Sequence, residues 1–142
     1  MIVLDTNVVS ELMRRRPDAA VIGWIDGLDA SGLMLTAVTA AELLHGVSRL
    51  PNGARRRWLA AAVHDMLVED FDGRVLPFDG AAALHYGELV AAREHAGRPI
   101  GVADAQIAAI CRHHGATLAT RNGRDFEATG VEVFDPWTAP AG

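Results

Sequence analysis

The chain has 142 residues, half of them apolar, and a formal net charge of −5. All 13 basic residues are arginine. That excludes chemistries built on a lysine, such as a P-loop nucleotide site or a Schiff-base enzyme. The one cysteine, Cys111, excludes an internal disulfide framework and reads as a small buried hydrophobe.

No apolar run approaches the ~18 residues of a membrane span. Met1 leads straight into a strand, with no basic leader or cleavage site, so a cytoplasmic location is expected. One domain over residues 1–142 is expected from the length. The acidic balance argues against a general nucleic-acid coat protein. It leaves a nuclease open, because a carboxylate site carries negative charge of its own.

Apolar runs alternate with helical patterns, the signature of β-α-β units. Ile2 to Leu4 is unbroken and partly β-branched, which predicts a buried parallel strand. A short helix follows over about Thr6 to Met13, then a second over Pro17 to Leu28 with Val21, Trp24 and Ile25 on its apolar stripe. Leu33 to Thr36 reads as a strand and Ala37 to Leu50 as a helix stopped by Pro51-Asn52-Gly53. Ala54 to Glu69 carries Trp58, Leu59, Ala62, Val63, Met66 and Leu67 at helical spacing.

Val75 to Phe78 is the third strand, and Asp79 is the expected N-cap of a helix reaching His95, with Gly97 as terminator. Val102 to His114 is helical and closed by Gly115. Thr117 to Ala119 and Val131 to Phe134 are the last strands. The expected architecture is a three-layer α/β/α domain with a mostly parallel five-stranded sheet.

Three carboxylates stand where apolar residues are expected. Asp5 ends the first strand, where open α/β sheets keep their sites. Glu42 lies in the apolar helix Val38-Thr-Ala-Ala-Glu42-Leu-Leu, and Asp104 in Ile100-Gly-Val-Ala-Asp104-Ala-Gln-Ile. A lone buried carboxylate costs several kcal/mol, so such groups are paired, protonated or bound to metal. Asp5 and Asp104 also read as helix caps, and Glu42 as the partner of an arginine. Convergence on a hard divalent cation accounts for all three at once.

The fourth strand ends in Thr120-Arg121-Asn122-Gly123-Arg124-Asp125, repeating the first strand's apolar run and polar turn. Asn122 or Asp125 could add a further oxygen to the same cleft; Asn122 reads equally as a turn residue, and Asp125 rather as a solvated or capping residue. Thr6, Asn7 and Thr120 are candidates to hydrogen-bond and aim the carboxylates.

These motifs, taken in order, resemble a PIN domain. They are Leu4-Asp5-Thr6-Asn7, Thr39-Ala-Ala-Glu42-Leu, Ala103-Asp104-Ala and Ala119-Thr120-Arg121-Asn122. The Leu118-Ala-Thr-Arg-Asn122 stretch and the ending Val133-Phe-Asp-Pro-Trp137 resemble the FitB-like branch of VapC-type toxins. The resemblance implies a toxin–antitoxin ribonuclease whose acidic cluster binds Mg²⁺ or Mn²⁺ and hydrolyses RNA phosphodiesters.

Asp5, Glu42 and Asp104 match the family's three main acidic positions, which makes them the expected metal ligands and catalytic residues. Asn122 stands where many relatives carry a fourth Asp. A homodimer and a VapB-like antitoxin are implied as well, the antitoxin wrapping a groove between the early helices and the Ala54–Glu69 helix.

RNA contacts are expected from Arg121 and Arg124, which flank the site. Arg14 to Arg16 and Arg55 to Arg57 read equally as phosphate contacts and as solvated faces. Trp24 and Trp58 are expected in core or dimer packing. A haloacid-dehalogenase-type phosphatase needs a second Asp where Asn7 stands and a Lys, and a receiver domain needs the same Lys. The remaining alternative is a non-catalytic RNA- or protein-binding module with a degenerate site.

Overall fold

A computed structural model describes residues 1–138. The last part of the expected 1–142 domain, residues 139–142, lies outside the described residues. Five strands form one sheet: β1 (Ile2–Leu4), β2 (Leu33–Thr36), β3 (Val75–Leu76), β4 (Thr117–Ala119) and β5 (Val133–Phe134). Their order is β3-β2-β1-β4-β5, and all four pairings are parallel. The first strand is therefore central, with β2 and β3 on one side and β4 and β5 on the other.

Six α-helices cover the sheet: α1 (Thr6–Leu12), α2 (Ala19–Asp26), α3 (Ala37–Ser48), α4 (Ala54–Asp65), α5 (Gly80–His95) and α6 (Val102–His114). The period of two along the strands sorts the core into two layers. Val3 and Leu118 face α5 and α6, where Leu89, Ile107 and Ala108 meet them. Leu4, Leu33, Leu35 and Ala119 face the other way, against Val8, Val21, Leu43 and Val63 from α1 to α4. Each fully buried Leu or Ile contributes roughly 1.5–3 kcal/mol. Two faces so covered make the three-layer sandwich that the alternation of runs predicts.

Helix ends follow local chemistry. Asp18 accepts from Ala20 N–H and so starts α2 at Ala19, two residues inside the expected Pro17. Asp79 caps α5 through Ala82 N–H, as expected. Gly115 closes α6 at φ +62°, a left-handed position that suits glycine. The Ala54–Glu69 helix is interrupted: α4 stops at Asp65 and a π-helical turn runs over Met66–Asp70.

Two strands are shorter than expected. β3 ends at Leu76 because β2 ends at Thr36, whose hydroxyl instead caps α3 through Thr39 N–H, and because Pro77 has no N–H to donate. β5 is limited to Val133–Phe134 because β4 offers only Leu118 and Ala119 as partners. Trp24 packs as expected, stacking on Phe134 with ring centroids 5.4 Å apart. Trp58 is 62% exposed and so lies outside the core of the chain.

Candidate active site

The strand order reverses at β1, so the carboxyl ends of β1 and β4 and the start of α3 open on one crevice. That crevice is a cleft of about 570 Å³. Asp5, Glu42 and Asp104 all line it, together with Asn122, Asp125 and Arg121. The three misplaced carboxylates of the sequence, from positions 5, 42 and 104, therefore share one cleft.

Asp5 is the most firmly held. It is buried, and Oδ1 accepts from Thr6 N–H at 2.8 Å while Oδ2 accepts from the Thr120 hydroxyl at 2.7 Å and from Asn7 Nδ2 at 3.1 Å. The bond to Thr6 N–H also makes Asp5 the N-cap of α1, so the cap reading and the cleft reading are both correct. Asn7 is held in turn, its Oδ1 accepting from Arg121 N–H at 3.3 Å. Thr120 Oγ1 also accepts from Asn122 N–H at 3.1 Å. The Thr6 N–H, Asn7 and Thr120 thus all hydrogen-bond Asp5.

Glu42 corrects one expectation. The helix around it is not deeply packed: in α3 only Thr39 and Leu43 are buried, and Glu42 is exposed at the cleft rim. Apolar Leu44 points to solvent at 45% exposure, which is why the run reads as buried. Glu42 Oε1 accepts from the Thr6 hydroxyl at 2.7 Å, and among the described residues it has no arginine partner. Buried Thr39 stands 3.2 Å from that same hydroxyl. Thr39 belongs to the Thr39-Ala-Ala-Glu42-Leu motif, and its burial puts it on the inner face of α3 beside Thr6.

Asp104 does not cap α6. Gly101 holds that position, and Asp104 stands free in the first turn. Its pKa is raised to about 6 by its own burial first, then by Asp5, Asp125 and Glu42, with Arg93 opposing. Asp125 is exposed, as a solvated residue is, and it also lines the cleft. Its place is set by buried Arg93, which donates to the backbone carbonyls of Asp125 at 2.8 Å and Glu127 at 3.0 Å. Arg124, expected beside Arg121, is exposed and does not line the cleft.

The donor set is all oxygen and mutually repulsive, which suits a hard divalent cation. The carboxylates ring the cleft rather than close on one point: among the described residues no three of them stand near enough together to enclose an ion.

The PIN domain family matches residues 2–132. The chain belongs to that family. It is 44% identical to a VapC ribonuclease of Sinorhizobium fredii over 96% of this chain and 98% of the relative. It is 40% identical to toxin FitB of Neisseria gonorrhoeae over 96% of this chain and 99% of the relative. The solved structure of FitAB bound to an IR36 DNA fragment superposes with a TM-score of 0.93 at 38% identity, covering 99% of this chain and 98% of that one.

This PIN domain has a second concave surface. An apolar groove of about 1430 Å³ runs between α1, α3 and α4, lined by Leu12, Met13, Val47, Leu59, Val63 and Met66. It lies where the resemblance predicts one. Exposed Trp58 stands on its wall, and Arg14, Arg15 and Arg55 border it. Thr6, Arg14 and Glu42 line both the groove and the cleft, so the two are continuous. Arg14 is paired with buried Glu11 at 3.3 Å.

Proposed function

We propose that this PIN domain is a divalent-metal-dependent endoribonuclease, the toxin of a toxin–antitoxin pair, acting as one nuclease domain in the cytoplasm. One observation carries the reading: Asp5, Glu42 and Asp104, from three separate elements, face a single cleft. The 44% identical VapC ribonuclease supports RNA as the substrate.

Asp5, Glu42 and Asp104 would hold Mg²⁺ or Mn²⁺, with Asp125 and the Asn122 amide oxygen as further donors. When bound, the metal polarises the scissile phosphate and lowers the pKa of a water molecule. The chain's own residues do the rest. Thr6 N–H, Asn7 and Thr120 keep Asp5 aimed. Exposed Glu42, tied through its side chain to the Thr6 hydroxyl, is the arm with freedom to close on the others. With a pKa of about 6, Asp104 is mostly ionised at neutral pH and available as a ligand. Arg121 presents a cation at the mouth of the cleft, where the phosphate backbone must pass.

The antitoxin partner fits the apolar groove, and the groove's continuity with the cleft lets its occupant reach the acidic residues. The likeness to the B component of FitAB and to VapC proteins supports this pairing, and a homodimer of the toxin within it. Asn122 alone favours a degenerate, non-catalytic site, and Asp125 supplies the charge that Asn122 lacks.

The test is cleavage of end-labelled RNA by the antitoxin-free protein with Mn²⁺. Cleavage that leaves 5′-phosphate and 3′-hydroxyl ends, is abolished by EDTA and is lost in Asp5→Asn, supports the reading. RNA bound but left intact by the wild type would establish the binding module instead.

A further inference from the structure

Arg121 is the cation that the cleft leaves uncommitted. Arg14 is paired with Glu11, and Arg93 is spent on backbone carbonyls. Among the described residues no carboxylate pairs with Arg121. Its backbone is fixed nonetheless: its N–H donates to Asn7 Oδ1, and the preceding Thr120 is bonded to Asp5. Its guanidinium lies over the ring of Trp137, with Cζ 4.8 Å from the ring centroid.

Trp137 is itself anchored. It follows buried Pro136, its N–H donates to Asp135 Oδ1 at 2.9 Å, and the ring packs against the core layer that holds α2. The ring also lines the cleft that holds Asp5 and Asp104. A long arginine at the surface ordinarily has several rotamers to lose on binding. A ring face beneath it removes that freedom while leaving all five N–H donors unspent.

We propose that Trp137 is a positioning residue for RNA: it holds the Arg121 guanidinium at the mouth of the acidic cleft, where that group clamps a phosphate next to the scissile one. This rests on the ribonuclease reading above. The clamp acts on binding and leaves the acidic residues as they are, so Trp137 controls KM and not kcat.

The probe is single-stranded RNA of random sequence, cut with Mn²⁺ by the antitoxin-free protein. Two variants separate the ring face from mere bulk. Trp137→Phe keeps an aromatic face, and Trp137→Leu keeps apolar packing without one. Trp137→Leu and Arg121→Ala should each raise KM about tenfold with kcat little changed. The double variant should be no worse than Arg121→Ala, and Trp137→Phe should remain near wild type. Both single losses should lower the slope of log affinity against log salt by about 0.7, the value for one single-strand phosphate.

A Trp137→Leu protein that matches wild type in KM would overturn the clamp. So would effects that add in the double variant, or Trp137→Phe as impaired as Trp137→Leu. Wild-type protein that neither binds nor cuts the RNA would overturn the ribonuclease reading itself, and the clamp with it. Failure of the clamp alone leaves wild-type cleavage intact, so the two failures are distinct.

Discussion

The Thr120 hydroxyl donates to Asp5 Oδ2 at 2.7 Å, tying the end of β4 to the end of β1 inside the cleft. Both residues are buried, and the bond joins positions at opposite ends of the chain. It is the step by which a sheet register becomes an active-site geometry: Leu4 pairs with Ala119, so the next residue of each strand meets the other.

Thr120→Val keeps the shape and removes that donor. A buried carboxylate oxygen then loses a charge-assisted bond, at a cost of roughly 1.5–3 kcal/mol. Metal affinity should fall about 10- to 100-fold, as for other residues that orient a ligand. Urea unfolding and Mn²⁺ titration of the variant check both numbers.

Asp104 carries a pH dependence of definite sign. Its folded pKa of about 6 exceeds the ordinary 3.8, so the folded state holds the proton more tightly. Stability of the metal-free protein is therefore lost as pH rises from about 4 to about 6, and the deficit is full above that range. Asp104→Asn removes the charge, so its melting temperature should exceed wild type at pH 7.5 and converge on it near pH 4. A variant equally or less stable at pH 7.5 would show that neither burial nor the neighbouring carboxylates strain the Asp104 charge.

Much of this was legible from local pattern. The α6 boundaries follow from an apolar helical run closed by Gly115, and Asp5 from a β-branched run that ends in polar residues. What escaped depends on distant partners. The ends of β3 and β5 are set by the lengths of β2 and β4, which their own residues do not encode. Asp125 is a candidate for the cleft by sequence, but its support is not: Arg93, thirty-two residues earlier, holds its carbonyl. Glu42 misled in the other direction: apolar residues on several faces of α3 suggested burial, whereas Leu44 is exposed. Trp137 reaches the site by way of α2, a neighbour that nothing in its own stretch names.

Arg93→Met tests that support. The substitution keeps the buried stem and leaves the carbonyls of Asp125 and Glu127 without their donor. A loss of roughly 1.5–3 kcal/mol is expected from urea unfolding. Weaker Mn²⁺ binding should accompany it, because Asp125 is no longer placed.

Cys111 should be silent. It is fully buried, and burial pushes its thiol up to about 12. Alkylation by iodoacetamide at pH 8 should proceed only after denaturation, and a rapid native reaction would contradict the packing of α6.

Trp58 offers a separate handle on the partner. It stands 62% exposed on the groove wall and does not line the acidic cleft. Trp58→Ala should leave stability and RNA cleavage near wild type and weaken antitoxin binding by 2 kcal/mol or more, about 30-fold in Kd. Unchanged Kd would place the antitoxin elsewhere.

We propose Asp5, Glu42 and Asp104 as one metal-binding cluster. Calorimetric titration of Mn²⁺ into the antitoxin-free protein tests it without any choice of RNA. Saturable binding is expected, lost in Asp104→Asn and accompanied by proton release that grows as pH falls towards 6. Identical heats for the wild type and Asp104→Asn would contradict the claim.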